Sequence, residues 1–188
     1  MTRWIVCAAL CGALFLPGCI TYKPKSTYYT LDMTPAATAP APVNLSVEAI
    51  RLDEALSRKD ILILVSPIEV EYYAHAQWVA ALDQLVREKL HVEFGPRDPA
   101  ARSLYLSIDL LAFEQRDTVA GAESHVRMHV AFHQERSGLY EAPHFERTYA
   151  LSAPAATASA SAVVEGLSRL LEQIAAQIAA DAAALPQE

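Results

Sequence analysis

Leu104-Tyr105-Leu106-Ser107-Ile108-Asp109-Leu110 decides the fold class. Leu104, Leu106, Ile108 and Leu110 alternate with Tyr105, Ser107 and Asp109, the period-two signature of a strand with one buried and one wet face. Leu111, Phe113 and Glu114 shift the phase, so the strand is expected to continue through a bulge. Downstream, Val126, Met128, Val130 and Phe132 alternate with His125, Arg127 and His129, predicting a second long strand. Ser137-Gly138 is a hairpin signal, and Phe145 to Leu151 reads as the last strand.

A helix closes the chain. Val163, Val164, Leu167, Leu170, Leu171, Ile174 and Ile178 recur on one stripe over residues 161–184. Alanine fills much of the remainder and favours helix at each exposed position.

Upstream of Leu104, Gly95-Pro96 stops another helix, expected over His75 to Val92 with Trp78 opening its apolar stripe. Before it, Ile68, Val70 and Tyr72 alternate with Glu69, Glu71 and Tyr73. Ile61 to Val65 is continuously apolar, as in a strand buried on both faces. Asp53 to Asp60 reads as a loop or helical turn, Asn44 to Leu52 as a strand, Thr34 to Pro42 as an extended Pro/Ala loop, and Thr27 to Leu31 as a first strand. The expected architecture is α+β: a mainly antiparallel sheet with both amphipathic helices on one face, in two layers. Residues 27–188 would form one domain, with the Pro/Ala loop near 34–43.

The amino terminus has a different character. Arg3 precedes the uncharged apolar run Trp4 to Phe15, too short for a bilayer span of about 20 residues and suited to a signal peptide. Leu16-Pro17-Gly18-Cys19 then meets the requirements of lipoprotein processing. Leu16 supplies the branched apolar residue at −3, Gly18 the small residue at −1, and Cys19 the thiol that becomes the acylated first residue. Cys7 follows Val6 and Cys11 follows Leu10, so neither has a small residue before it, and both lie in the segment to be removed. No cysteine pair or cysteine metal site is expected in the mature chain, whose sole sulfhydryl carries diacylglycerol and an N-acyl chain such as palmitate. Two or more acyl chains hold a protein firmly to a bilayer. Ile20 stands where Asp would signal inner-membrane retention, favouring the outer membrane, periplasmic face. Residues 19–26 would be a short tether. Nine residues from Cys19 to Tyr28 reach at most about 30 Å, which keeps the domain close to its membrane.

The formal net charge of −7 argues against nucleic acid and against docking onto anionic lipid by charge. His125, His129 and His133 invite a metal reading. On a strand, neighbours spaced by four lie about 13 Å apart, too far to share a zinc ion whose ligands sit about 2 Å away. A wet sheet face is the expected setting. No Gly-x-Ser-x-Gly elbow, free mature thiol or phosphate-binding Gly-x-x-x-x-Gly-Lys-Ser/Thr loop appears, so no catalytic residue, metal or cofactor is expected.

The order of motifs resembles a known family. The lipobox is followed by Tyr28-Tyr29-Thr30-Leu31-Asp32, a Pro/Ala gap, and Ile68-Glu69-Val70-Glu71-Tyr72-Tyr73 leading into Gln77-Trp78. Leu104 to Glu114 ends in Leu-x-Phe-Glu, and an alanine-rich helix closes the chain. This looks like the ABC-type transport auxiliary lipoproteins, the PqiC/YmbA family, from about Tyr28 to Ala184. The chain departs from the family at Gln77, where a basic residue is common, and at Asp53-Glu54-Ala55-Leu56, where Pro-x-Tyr-Leu is common.

The resemblance implies a non-enzymatic accessory subunit of an intermembrane lipid transport system. Its partners would be an inner-membrane ABC permease and ATPase and an MCE-domain protein that spans the periplasm. Because MCE proteins form rings, a homo-oligomer is also conceivable. Tyr28, Tyr29, Leu31 and Trp78 are the candidate partner contacts, with Tyr28, Tyr29 and Trp78 weighed against a role in the core. The rival reading is an interaction lipoprotein of another envelope pathway, such as outer-membrane assembly or peptidoglycan synthase regulation. A periplasmic enzyme is a third.

Overall fold

The computed structural model describes residues 25–35, 42–136 and 142–186. The described residues build one mixed sheet of seven strands and two helices, an α+β fold. The strands are β1 (Thr27–Tyr29), β2 (Asn44–Leu52), β3 (Asp60–Ser66), β4 (Glu69–Trp78), β5 (Ser103–Thr118), β6 (Gly121–His133) and β7 (Phe145–Pro154). The helices are α1 (Leu82–Phe94) and α2 (Ala160–Ala184). Ser137-Gly138 lies outside the described residues.

The 16-residue β5 is the axis of the sheet. On one side it pairs antiparallel with β6 over its full length, and β6 pairs antiparallel with β7. The expected bulge falls between Leu110 and Ala112 and carries the core phase from Leu110 to Phe113, which faces Val126. On its other side β5 is shared. β2 runs parallel along its first half and β3 parallel along its second, with a 3-10 turn (Glu54–Ser57) between them. β4 folds back antiparallel on β3, and the short β1 adds in parallel to β4, giving the order β1-β4-β3-β5-β6-β7 with β2 beside β5. Alternation within a strand carries no information about the direction of its neighbour, so the parallel pairings of β1, β2 and β3 were not legible in the mainly antiparallel expectation.

The two helices pack against each other and on β2, β5, β6 and β7. Leu106, Ile108, Leu110, Val126, Met128, Val130 and Phe132 are wholly inaccessible beneath them, and so are Val163, Leu167, Leu171, Ile174 and Ile178 of α2. Gly166 sets how closely α2 approaches β6: a Cβ there would come within 2.9 Å of Ser124 Cβ. Ser124 Oγ donates to the Val163 carbonyl at 2.9 Å, fixing the same contact.

The first helix begins later than the sequence suggests. The period-two pattern of β4 persists through Ala76 and Trp78, both buried, so His75 to Trp78 is strand. Trp78 and Leu82 share helical spacing only by coincidence. Ala81, at the N-cap position, makes no side-chain cap bond, so the usual start signal is missing. At the other end, Gly95 adopts φ +70 and its N–H donates to the Val92 carbonyl, stopping α1 just past Phe94. In β3, Ile61 and Leu62 are buried, but Ile63, Leu64 and Val65 are only half-buried. The strand expected to be covered on both faces extends beyond the elements that contact the helices.

Candidate functional site

The candidate site is the amino-terminal segment, because any lipid on Cys19 must transmit its position through it. β1 enters along β4, with Tyr28 opposite Gln77 and Tyr29 opposite Trp78. Tyr28 is 62% exposed on the outer edge strand, while Tyr29 packs half-buried against the core. Leu31 is 1% exposed and Trp78 is 2% exposed. Trp78 stacks at a tilt on Phe113 with ring centroids 5.8 Å apart. Of the four candidate contacts, Tyr28 alone presents most of its surface. Leu31 and Trp78 instead fasten the segment to the core.

The chain beyond Leu31 is fastened by polar bonds as well. Asp32 N–H donates to Ser168 Oγ of α2 at 3.1 Å. The Asp32 side chain accepts from Thr34 N–H at 2.8 Å, and this bond first of all lowers its carboxyl pKa. Lys89 Nζ donates to the Thr34 carbonyl at 3.2 Å. The same ammonium pairs with Glu93 at 2.6 Å and Glu172 at 2.7 Å, and its side chain is fully buried. Burial disfavours the charged amine, yet the two carboxylates outweigh it and hold its pKa above the ordinary lysine value. One cation therefore ties α1, α2 and the amino-terminal segment together.

Sequence reasoning missed Lys89. The available signal was its position three residues after Val86 and four after Leu85, on the apolar stripe of α1. A charged residue on such a stripe needs buried partners.

The departures from the family pattern have local partners. Gln77 Nε2 donates to Asp60 Oδ1 at 2.8 Å across β4 and β3. Asp53 caps the 3-10 turn by accepting from Ala55 N–H at 3.1 Å, and Leu56 is buried.

The sheet face away from the helices is drier than expected. His125 and His133 are each only 5% exposed. His125 Nδ1 lies 2.8 Å from Ser152 Oγ, while its Nε2 is buried without a hydrogen-bond partner. Desolvation, reinforced by Arg116 and Arg127, depresses the His125 pKa to about 4. Opposite it, Glu114 is buried and its pKa is raised by desolvation despite Arg116 at 3.0 Å. The other two histidines of β6 have separate partners, Thr148 and Glu146 for His129 and Ser107 for His133. Among the described residues, no three His, Cys, Asp or Glu side chains converge as a metal set. Tyr73, whose hydroxyl donates to Gln115 Oε1, is pushed up to about 12, mainly by burial.

The class of fold is shared with solved proteins. A structure described only as an uncharacterized protein matches with a TM-score of 0.65 at 16% identity, covering 85% of this chain and 99% of its own. A Xanthomonas campestris protein matches with a TM-score of 0.67 at 17% identity, covering 81% of this chain and 92% of its own. At those identities the likeness concerns the fold alone. Among curated proteins there is no match.

The particular family follows from the sequence itself. Residues 29–179 match the family described as ABC-type transport auxiliary lipoprotein component, and the chain belongs to that family. The matched span opens at Tyr29, takes in β2 to β7 and α1 whole, and ends within α2 at Ala179.

Proposed function

We propose that this chain is a non-enzymatic lipoprotein, anchored through acylated Cys19 to the periplasmic face of the outer membrane. It serves there as the accessory subunit of an ABC-type system that moves phospholipid between the two membranes. Its partners are an inner-membrane permease and ATPase and an MCE-domain protein that crosses the periplasm. The observation that carries this reading is the family match from residue 29, just downstream of Leu16-Pro17-Gly18-Cys19. The short tether supports it, because a domain held within about 30 Å of one membrane needs a partner to bridge the rest of the distance.

Affinity purification from crosslinked cells tests the assignment. MCE and ABC components are expected to co-purify with the lipidated protein. Recovery of peptidoglycan synthases or an outer-membrane assembly factor in their place would transfer the chain to another envelope pathway. Metabolic labelling with a palmitate analogue tests the anchor: wild type is expected to incorporate it and Cys19→Ala to lose it.

A further inference from the structure

One end of the molecule is made of three uncharged loops. The β3–β4 turn contributes Ser66-Pro67-Ile68, the β5–β6 turn contributes Val119-Ala120, and the link from β7 to α2 is Ala155-Ala156-Thr157-Ala158-Ser159. The ladders bring them together. Leu64 lies opposite Arg116 in parallel, so the turns after β3 and β5 emerge side by side. Glu123 lies opposite Pro154, and Ala155 N–H donates to the Ala122 carbonyl at 2.9 Å, which places the third loop beside the second. Ile68 is 97% exposed and Val119 fully so. Between these two turns lies an open groove of about 340 Å³ lined by Leu64, Ser66, Pro67, Arg116, Asp117 and Thr118.

The amino-terminal chain arrives from the same end. β1 is parallel to β4 with Thr27 opposite Ala76, so the chain enters β1 from the side on which β4 begins. From Ala76 back to Glu69, beside the Ile68 turn, is seven residues, or at most about 23 Å of strand. From Thr27 back to Cys19 is eight residues, with a reach of about 27 Å. That length brings Cys19 level with the turns and little further. The opposite end, at Asp98 and Ala100, lies beyond the start of the 16-residue β5, about 50 Å of strand from the Val119 turn.

We propose that this end faces the membrane and that Ile68 and Val119 dip into the lipid interface of the bilayer that holds the anchor. The proposal rests on the acylation of Cys19 stated above. The turn residues themselves are uncharged, but exposed Glu69 and Asp117 flank them in a chain of net charge −7, so the contact is an apolar one made by Ile68 and Val119 and draws nothing from charge. Exposed Ile and Val lose unfavourable contact with water when they enter the interface.

The test uses the full, lipidated protein with one added thiol at a time: Ile68→Cys, Val119→Cys, or Ala100→Cys at the far end. Acylation occupies the Cys19 sulfur, and Cys7 and Cys11 leave with the signal peptide, so an NBD label reports a single site. In phosphatidylethanolamine/phosphatidylglycerol vesicles, labels at 68 and 119 are expected to shift to the blue and to be quenched by brominated lipid, whereas the label at 100 stays water-like. Three water-like labels on protein that floats with the vesicles would overturn the membrane contact and leave the anchor standing. A blue shift that needs no vesicles and grows with protein concentration would assign the end to a contact between copies and overturn it equally. Wild-type protein that fails to float would sink the anchor reading, and the membrane contact with it.

Discussion

At the residue scale, three residues carry consequences that burial alone does not convey. Lys89 is a buried cation shared by Glu93, Glu172 and the Thr34 carbonyl. Removing one partner from such a cluster strands the others, which typically costs about 3–5 kcal/mol. Lys89→Ala is therefore expected to lower the unfolding free energy, read from urea titration at neutral pH, by that amount. Because the lysine pKa is raised in the folded state, its contribution is full below about 10.4, the unfolded value, and fades as pH rises through the folded one. Wild type and variant should converge only in strong alkali. His125 works in the opposite direction. Its pKa is depressed from the ordinary 6.5 to about 4, so acid protonates the unfolded chain first and pulls the equilibrium toward it. Stability is expected to fall by up to about 3 kcal/mol between pH 6.5 and 4, at roughly 1.4 kcal/mol per pKa unit. His125→Gln should flatten that part of the urea-midpoint profile. Gly166→Ala sets two effects against each other. Alanine gains about 1 kcal/mol of helix propensity, but overpacking against Ser124 costs about 1–3 kcal/mol. The added methyl would meet Ser124 Oγ, which donates to the Val163 carbonyl, and behind it Ser124 Cβ, which is fixed to the backbone of β6 and cannot swing aside, so net destabilisation is expected in thermal unfolding.

At the element scale, α2 is both the most legible feature and the most demanding. Its apolar stripe appears in the sequence because 3.6-residue periodicity is a local property. Its partners on β5, β6 and β7 are not visible, since contact between distant segments leaves no periodic trace. Ile174 sits at the centre of that contact with no accessible surface. Ile174→Ala is expected to cost about 2–5 kcal/mol in denaturant unfolding, while Ala176→Ser on the exposed face should stay within about 0.5 kcal/mol. β4 and α1 show the converse. Two periodicities overlap between His75 and Leu82, and the uncapped start of α1 leaves nothing local to arbitrate. The strand prevails through Trp78 because Trp78 packs on Phe113 of β5, a residue 35 positions away.

At the scale of the whole molecule, the amino-terminal segment belongs to the fold and is not merely a leash. Leu31 is buried, Asp32 is bonded to α2, and Thr34 is bonded to Lys89. A chain beginning at Ile20 should keep the stability of the mature protein, whereas one beginning at Val43 should lose roughly 3 kcal/mol or more, from the burial of Leu31 with its polar bonds. Comparing the two by urea titration checks this. The sequence by itself determined the α+β class, the strands at Asn44–Leu52 and around Leu104–Leu110, the bulge after Leu110, the stripe of α2 and the family resemblance. Each of these depends on local spacing or motif order, which the chain carries in one dimension. The tertiary structure alone decided the mixed strand directions, the sharing of β5 by β2 and β3, the strand at Trp78 and the burial of Lys89 and His125. It also brought the Ile68 and Val119 turns together on the side from which the chain enters β1. Those depend on which distant segments meet, and meeting is settled by the joint burial of apolar faces and pairing of polar groups across the whole molecule. Tyr28, Tyr29, Leu31 and Trp78 read alike as aromatic or apolar candidates. Neighbours from β4, β5 and the helix layer bury two of them, half-bury a third, and leave Tyr28 in the open.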